Sequence, residues 1–157
     1  MSRGTCGNRK ESYSTRLSVA FCGGTIERTI LDPQKLAMTG FEKLDVWKSG
    51  CRLAVEVYSE LQNSRDYGLR DQMQRAAVSI PSNIAEGSER KGTKEFIQFL
   101  YIAKGSCAEL RTQLYIASCI GAISASSVSK LTGETKRIAA MLSSLINTLE
   151  QKHKIKS

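Results

Sequence analysis

Proline is nearly absent from this chain, with two in 157 residues, and aromatic side chains make up only 6%. Sheet-rich folds draw on aromatic residues and proline-bearing turns, so this shortage points to helix. A single imidazole, His153, and five scattered cysteines (Cys6, Cys22, Cys51, Cys107 and Cys119) with no Cys-x-x-Cys pair argue against a zinc site and against a disulfide scaffold. The longest strongly apolar stretch, near Leu114–Ile123, falls short of the roughly 20 residues a membrane-spanning helix needs. Acidic residues are scarce too, 15 against 23 lysines and arginines. The resulting charge of +8 suits an anionic partner such as RNA or DNA without requiring one.

What is present is core material. A hydrophobic fraction of 41% can bury a sizeable interior, and 24% charged residues keep its surface soluble, so the length accommodates one ordinary domain. The chain divides near residue 40. Residues 1–40 carry scattered Gly, Ser, Thr and Arg without a sustained period and with breakers at Cys22-Gly-Gly24 and Asp32-Pro33. They read as a disordered or loosely ordered extension. Within it, Arg16–Cys22 is too short for a signal core, and Phe21 is bulky where cleavage wants a small residue. Residues 41–157 read as the folded domain.

Four helical patterns follow. Trp47, Cys51, Ala54, Tyr58 and Leu61 recur at steps of four and three, predicting a helix over 44–63. Leu69, Met73, Ala76, Ala77, Ile80 and Ile84 predict a second over 69–86, with Pro81 inside it. Pro81 lacks the N–H that would bond the Ala77 carbonyl, so this helix is expected to bend or briefly open there, with Ser79, Ser82 and Asn83 satisfying the freed groups. After Gly87 and Gly92, with Thr93 as N-cap, the stripe Phe96, Leu100, Ala103, Cys107, Leu110, Leu114 and Ala117 predicts a third over 93–120, stopped by Gly121. Ile97, Phe99, Ile102, Tyr115 and Ile116 widen its apolar face enough for a bundle core or a further subunit contact. Val128, Leu131, Thr135, Ile138, Leu142, Leu145 and Leu149 predict a fourth over 126–152. The economical fold is all-α, an antiparallel up-down-up-down four-helix bundle. Cys51, Cys107 and Cys119 fall within these patterns and read as reduced core residues of a cytoplasmic protein.

The segment Gln72-Met-Gln-Arg-Ala-Ala-Val-Ser-Ile-Pro-Ser-Asn-Ile-Ala-Glu-Gly-Ser-Glu-Arg90, with Lys94-Glu-Phe-Ile-Gln-Phe-Leu100, Ile102-Ala-Lys-Gly-Ser-Cys-Ala-Glu-Leu110 and the opening Phe41-Glu-Lys-Leu-Asp-Val-Trp47, closely resembles the bacterial 23S rRNA intervening-sequence proteins. The likeness runs from about Met38 to the end of the fourth helix. Met38 therefore reads as the native start, with residues 1–37 outside the resemblance. The resemblance implies a four-helix bundle and no enzyme activity. Through a related accessory protein of diversity-generating retroelements it also implies a homo-oligomer, a pentamer there, that binds nucleic acid and a reverse transcriptase; a ribosome-associated partner is the other implied class. The polar turn Asn63-Ser-Arg-Asp-Tyr-Gly68 departs from the Phe-Pro-type element of many relatives.

Candidate residues fall into two groups. Arg75, Arg90, Lys91 and Lys94 gather around the second helix and its junction with the third, and Lys104 and Arg111 lie seven apart on the third, sharing a face. Such an array neutralises phosphates without reading base sequence. The competing reading is a solvated face balanced by Glu86, Glu89, Glu95 and Glu109. Tyr67, Tyr101 and Tyr115 are the aromatics able to stack on bases, with a core or subunit-contact role the more economical expectation. The second group is structural: Pro81 and Asn83 at the helix break, Glu86 pairing with Arg90 at i,i+4, Gly87 as a breaker, Glu109 on the third helix, and Gly105, whose helix-propensity cost predicts a close approach by a neighbouring helix. Glu86 and Glu109 do not form a catalytic carboxylate pair with any nucleophile or base, and Glu89-Arg-Lys-Gly92 is not a P-loop. The expectation is a non-catalytic protein without metal or cofactor.

Overall fold

A computed structural model describes residues 40–156. The expected N-terminal extension, its cysteines, its glycine and proline breakers and the Met38 start all lie outside the described residues. A 3-10 turn at Gly40–Lys43 leads into α1 (Asp45–Glu60), α2 (Tyr67–Ser88), α3 (Thr93–Cys119) and α4 (Ala125–Lys156). Packing joins α1 to α2, α2 to α3, α3 to α4 and α4 back to α1, while the diagonal pairs stay apart. Short connections between neighbours make this the antiparallel four-helix bundle the periodicity predicts.

Several helix ends are set by local signals. The Asp66 carboxylate accepts from the Leu69 amide at 3.0 Å and caps α2, so the helix begins at Tyr67, inside the polar turn. Gly92, in extended conformation, holds the N-cap position of α3 in place of Thr93, so the helix begins at Thr93, one residue earlier than a Thr93 cap would give. At the other end Gly121 adopts φ +67°, and the Ala122 amide reaches back to the Ala117 carbonyl at 2.9 Å. This is the glycine-terminated stop the sequence indicates. Ser124 accepts from the Ser127 amide to open α4.

The core is a continuous cluster built on Leu53, Val57, Met73, Ile80, Ile84, Leu100, Leu110, Leu114, Leu131, Ile138 and Leu142. The stripes of α2, α3 and α4 point inward as predicted, with Ile146 added to the last. For α1 the expected stripe is buried only in part, with Ala54 and Leu61 pointing inward as predicted. Val46, Leu53 and Val57 are buried, whereas Tyr58 is half exposed, because the apolar residues span more than one stripe and the face shared with both α2 and α4 prevails. Of the cysteines read as core, Cys107 is fully buried, Cys51 half-buried and Cys119 exposed at the α3 end.

Candidate nucleic-acid interface

At the junction of α2 and α3 the two helices approach closely. Gly87 lies inside α2, not at a break, and a Cβ there would stand 2.5 Å from Phe99 Cβ and 3.0 Å from Phe96 Cδ2. Only a residue without a side chain lets the start of α3 approach this closely. One layer further in, the Ser79 and Ser106 hydroxyls meet at 2.9 Å, and Asn83 Nδ2 donates to both the Ser79 carbonyl and its hydroxyl. On the opposite side of α2, Gly50 of α1 gives Ile80 and Pro81 room, a Cβ there lying 3.4 Å from each.

Pro81 does not open the helix. Helical backbone runs unbroken from Tyr67 to Ser88. Ser82 Oγ donates to the Val78 carbonyl and Asn83 to that of Ser79, so the expected side-chain repair falls on the two carbonyls after Ala77. Gly105 also departs from expectation. It is exposed, a Cβ added to it would meet no atom within 4 Å, and the close approach to α2 occurs one residue later, at Ser106.

The six basic residues do not form one patch. Arg75 is engaged by Asp71 at 2.9 Å, and Arg90 by Glu86, with its guanidinium also 5.1 Å from the Phe99 ring centre. Fifteen positions of a helical path separate these two arginines, about 20 Å, so the cluster expected at the junction is divided. Lys91, Lys94 and Lys104 are exposed and have no ion pair among the described residues. Arg111 is half-buried, and its Nε is out of water with no hydrogen-bond partner. Glu109 accepts from Gln113 and does not balance any of them.

Lys94, Lys104 and Arg111 belong to a different surface. Tyr101, Lys104, Ala108, Arg111 and Tyr115 follow at steps of three and four along one flank of α3, with Lys94 two turns before Tyr101. Tyr115 is 71% exposed and Tyr101 50%, which removes the core role expected for them. Near the start of the flank, Lys94, Ile97, Gln98, Tyr101 and Ile102 line an open hollow of about 500 Å³. Tyr101 donates to Glu150 Oε1 of α4 at 3.2 Å, and that carboxylate pushes the phenol pKa upward. Because α3 and α4 run antiparallel, fourteen residues forward on α3 match fourteen back on α4, which brings Lys136 level with Tyr115. Lys136 is exposed and without an ion pair among the described residues. Sequence reasoning missed it; counting register across the bundle is the signal that finds it. Tyr67, the remaining tyrosine of the three able to stack on bases, is exposed and sits apart at the start of α2 with Arg70 4.7 Å from its ring centre.

Beneath this flank, burial pushes the Cys107 thiol up to about 11, against a smaller lowering by Arg111. Burial raises Cys51 as well. Among the described residues no group of three or more His, Cys, Asp or Glu side chains could hold a metal ion, and no helix is long and apolar enough to cross a membrane.

The model of the 23S rRNA-intervening sequence protein family matches residues 42–144, which takes in α1, α2, α3 and most of α4. The chain belongs to this family. Its fold recurs in the crystal structure of a protein of unknown function from the S23 ribosomal protein family of Bacteroides thetaiotaomicron, with a TM-score of 0.61 and 24% identity. That alignment covers 64% of this chain and 97% of the other. No curated protein matches the chain. The family match spans both the α2–α3 junction and the basic flank of α3.

Proposed function

We propose that this family member is a non-catalytic accessory protein of the cytoplasm that self-associates and binds nucleic acid through phosphate contacts on α3, with residues 41–157 as the working unit. One observation carries the reading: Lys94, Lys104 and Arg111 lie along α3 with no carboxylate paired to them, in a chain whose other basic residues include several held in short-range pairs. Unpaired cations at moderate spacing attract a phosphate backbone and release its counterions on binding. A non-catalytic role fits carboxylates engaged in surface pairs, such as Asp71 with Arg75, Glu86 with Arg90 and Glu134 with Arg137. Self-association draws support from Ile102 and Ile116 of α3 and Ile120 at its C-cap, all near half exposed, and from Val55 on α1. The five-subunit ring that the family resemblance implies is the assembly to test, with RNA or DNA as ligand and a reverse transcriptase or ribosome-associated protein as further partner.

Fluorescence anisotropy of the full chain against an RNA hairpin and a DNA duplex over a salt series tests the reading, with molar mass measured alongside. Binding that weakens log-linearly with salt, and is lost in a folded Lys91/Lys94/Lys104/Arg111 charge-reversal variant, is the expected result. Absent binding at low salt, by a protein of native helicity, favours a protein-binding scaffold whose positive charge is incidental.

A further inference from the structure

The basic flank of α3 holds more than charge. Tyr115 presents its ring to solvent without a hydrogen-bond partner among the described residues, one turn beyond Arg111 and level with Lys136 of α4. Tyr101 lies one turn before Lys104 with half its surface open. From Lys104 to Tyr115 this flank carries no carboxylate at its own positions; across the α3–α4 edge Glu150 meets Tyr101. Lys104 and Arg111 stand about 10 Å apart along the helix axis, and the tyrosines bracket them. A flank built only to hold a duplex by its phosphates needs cations alone. Two exposed rings on a water-facing helix gain little unless a flat apolar partner covers them.

We infer that this flank binds single-stranded nucleic acid, with Lys104, Arg111 and Lys136 holding backbone phosphates and Tyr115, seconded by Tyr101, stacking on unpaired bases. The inference rests on the nucleic-acid reading above and specifies its ligand. Charge complementarity selects the polyanion, and the exposed ring faces select a strand whose bases are free to leave a stack. Stacking of this kind tolerates any base, so no sequence preference accompanies it. The small Ala108 between the cations leaves the path between the two rings unobstructed, and the open hollow beside Tyr101 extends it toward Lys94.

The test uses the full chain and three probes of one length, a mixed-sequence single-stranded RNA, the matching single-stranded DNA and the blunt RNA duplex, at one fixed salt concentration. The single strands should bind about tenfold more tightly than the duplex. Replacing Tyr115 by Leu removes the ring but keeps a large apolar side chain; it should weaken single-strand binding about tenfold and leave the duplex affinity and the salt slope unchanged. Tyr115→Phe should retain single-strand affinity, and quenching of tyrosine fluorescence by the bound strand should vanish in part with Tyr115→Leu. Equal or tighter duplex binding overturns the inference, as does a Tyr115→Leu variant with undiminished single-strand affinity. Loss of oligomeric mass in Tyr115→Leu also overturns it, by making the flank a contact between copies. Failure of all three probes to bind defeats the nucleic-acid reading itself and is distinguished from these by the duplex arm.

Discussion

Two glycines on adjacent helices show how differently the two sides of this bundle are constrained. Gly87 sits where α2 meets Phe96 and Phe99, with no space for one added carbon, while Gly105, on the outward side of α3, faces open space. From the sequence the two look alike, each a helix-disfavouring residue in a helical pattern. The contrast teaches that the inner side of α3 is fixed by fit, while its outer side is free of that packing constraint.

The sharpest way to break this contrast is Gly87→Ala. With a Cβ 2.5 Å from Phe99 Cβ, close to the α3 backbone, the helices must separate, and we expect a loss of about 3 kcal/mol in urea unfolding. A change within about 0.5 kcal/mol would show the junction to be as forgiving as the outer face. Next comes the pH response of the inner side. Because Cys107 ionises near 11 in the folded chain against 9.0 for an ordinary thiol, the unfolded state loses its proton first. Its contribution is intact below pH 9 and declines by about 2 kcal/mol as pH rises to 11. Comparing wild type with Cys107→Ala between those limits isolates this contribution from other titrating groups, and parallel curves would refute it. Ser106→Ala removes the bond to Ser79 and should cost about 1 kcal/mol. A cycle with Ser79→Ala should show that the two changes are not additive. The smallest effect sharpens the outer side: Gly105→Ala should stabilise by about 0.5–1 kcal/mol through helix propensity, with no steric penalty. If that substitution lowers the oligomeric mass, a second copy packs closely on Gly105.

Much of the architecture is legible in the sequence because helix burial repeats with a period that apolar residues display directly. The α3 stripe from Leu100 to Ala117 is buried throughout, and Gly121 ends the helix as its lack of a Cβ allows. The α1 face is harder to place, since Trp47, Cys51 and Tyr58 offer a stripe beside the one that Val46, Leu53 and Val57 bury. The candidate site is legible only in part. Arg90 and Glu86 are paired as their spacing indicates, yet Arg75 and Arg90 stand too far apart to share a patch. The consequence of Pro81 is hidden from the sequence as well, because the helix stays closed around it with Gly50 of α1 making room. Composition points Tyr101 and Tyr115 to the core or to a contact, and their exposure reverses the core reading.

By itself the sequence determined the class of fold, the family, the number of helices and most of the inward-facing residues, because each follows from local periodicity and from motifs read along one chain. Tertiary structure alone decided which cations are left without carboxylates, that Lys136 stands level with Tyr115, and that Gly87 is a packing requirement while Gly105 is not. Those facts depend on the register between antiparallel helices, which is set by side chains meeting across the core and has no counterpart in spacing along any single helix.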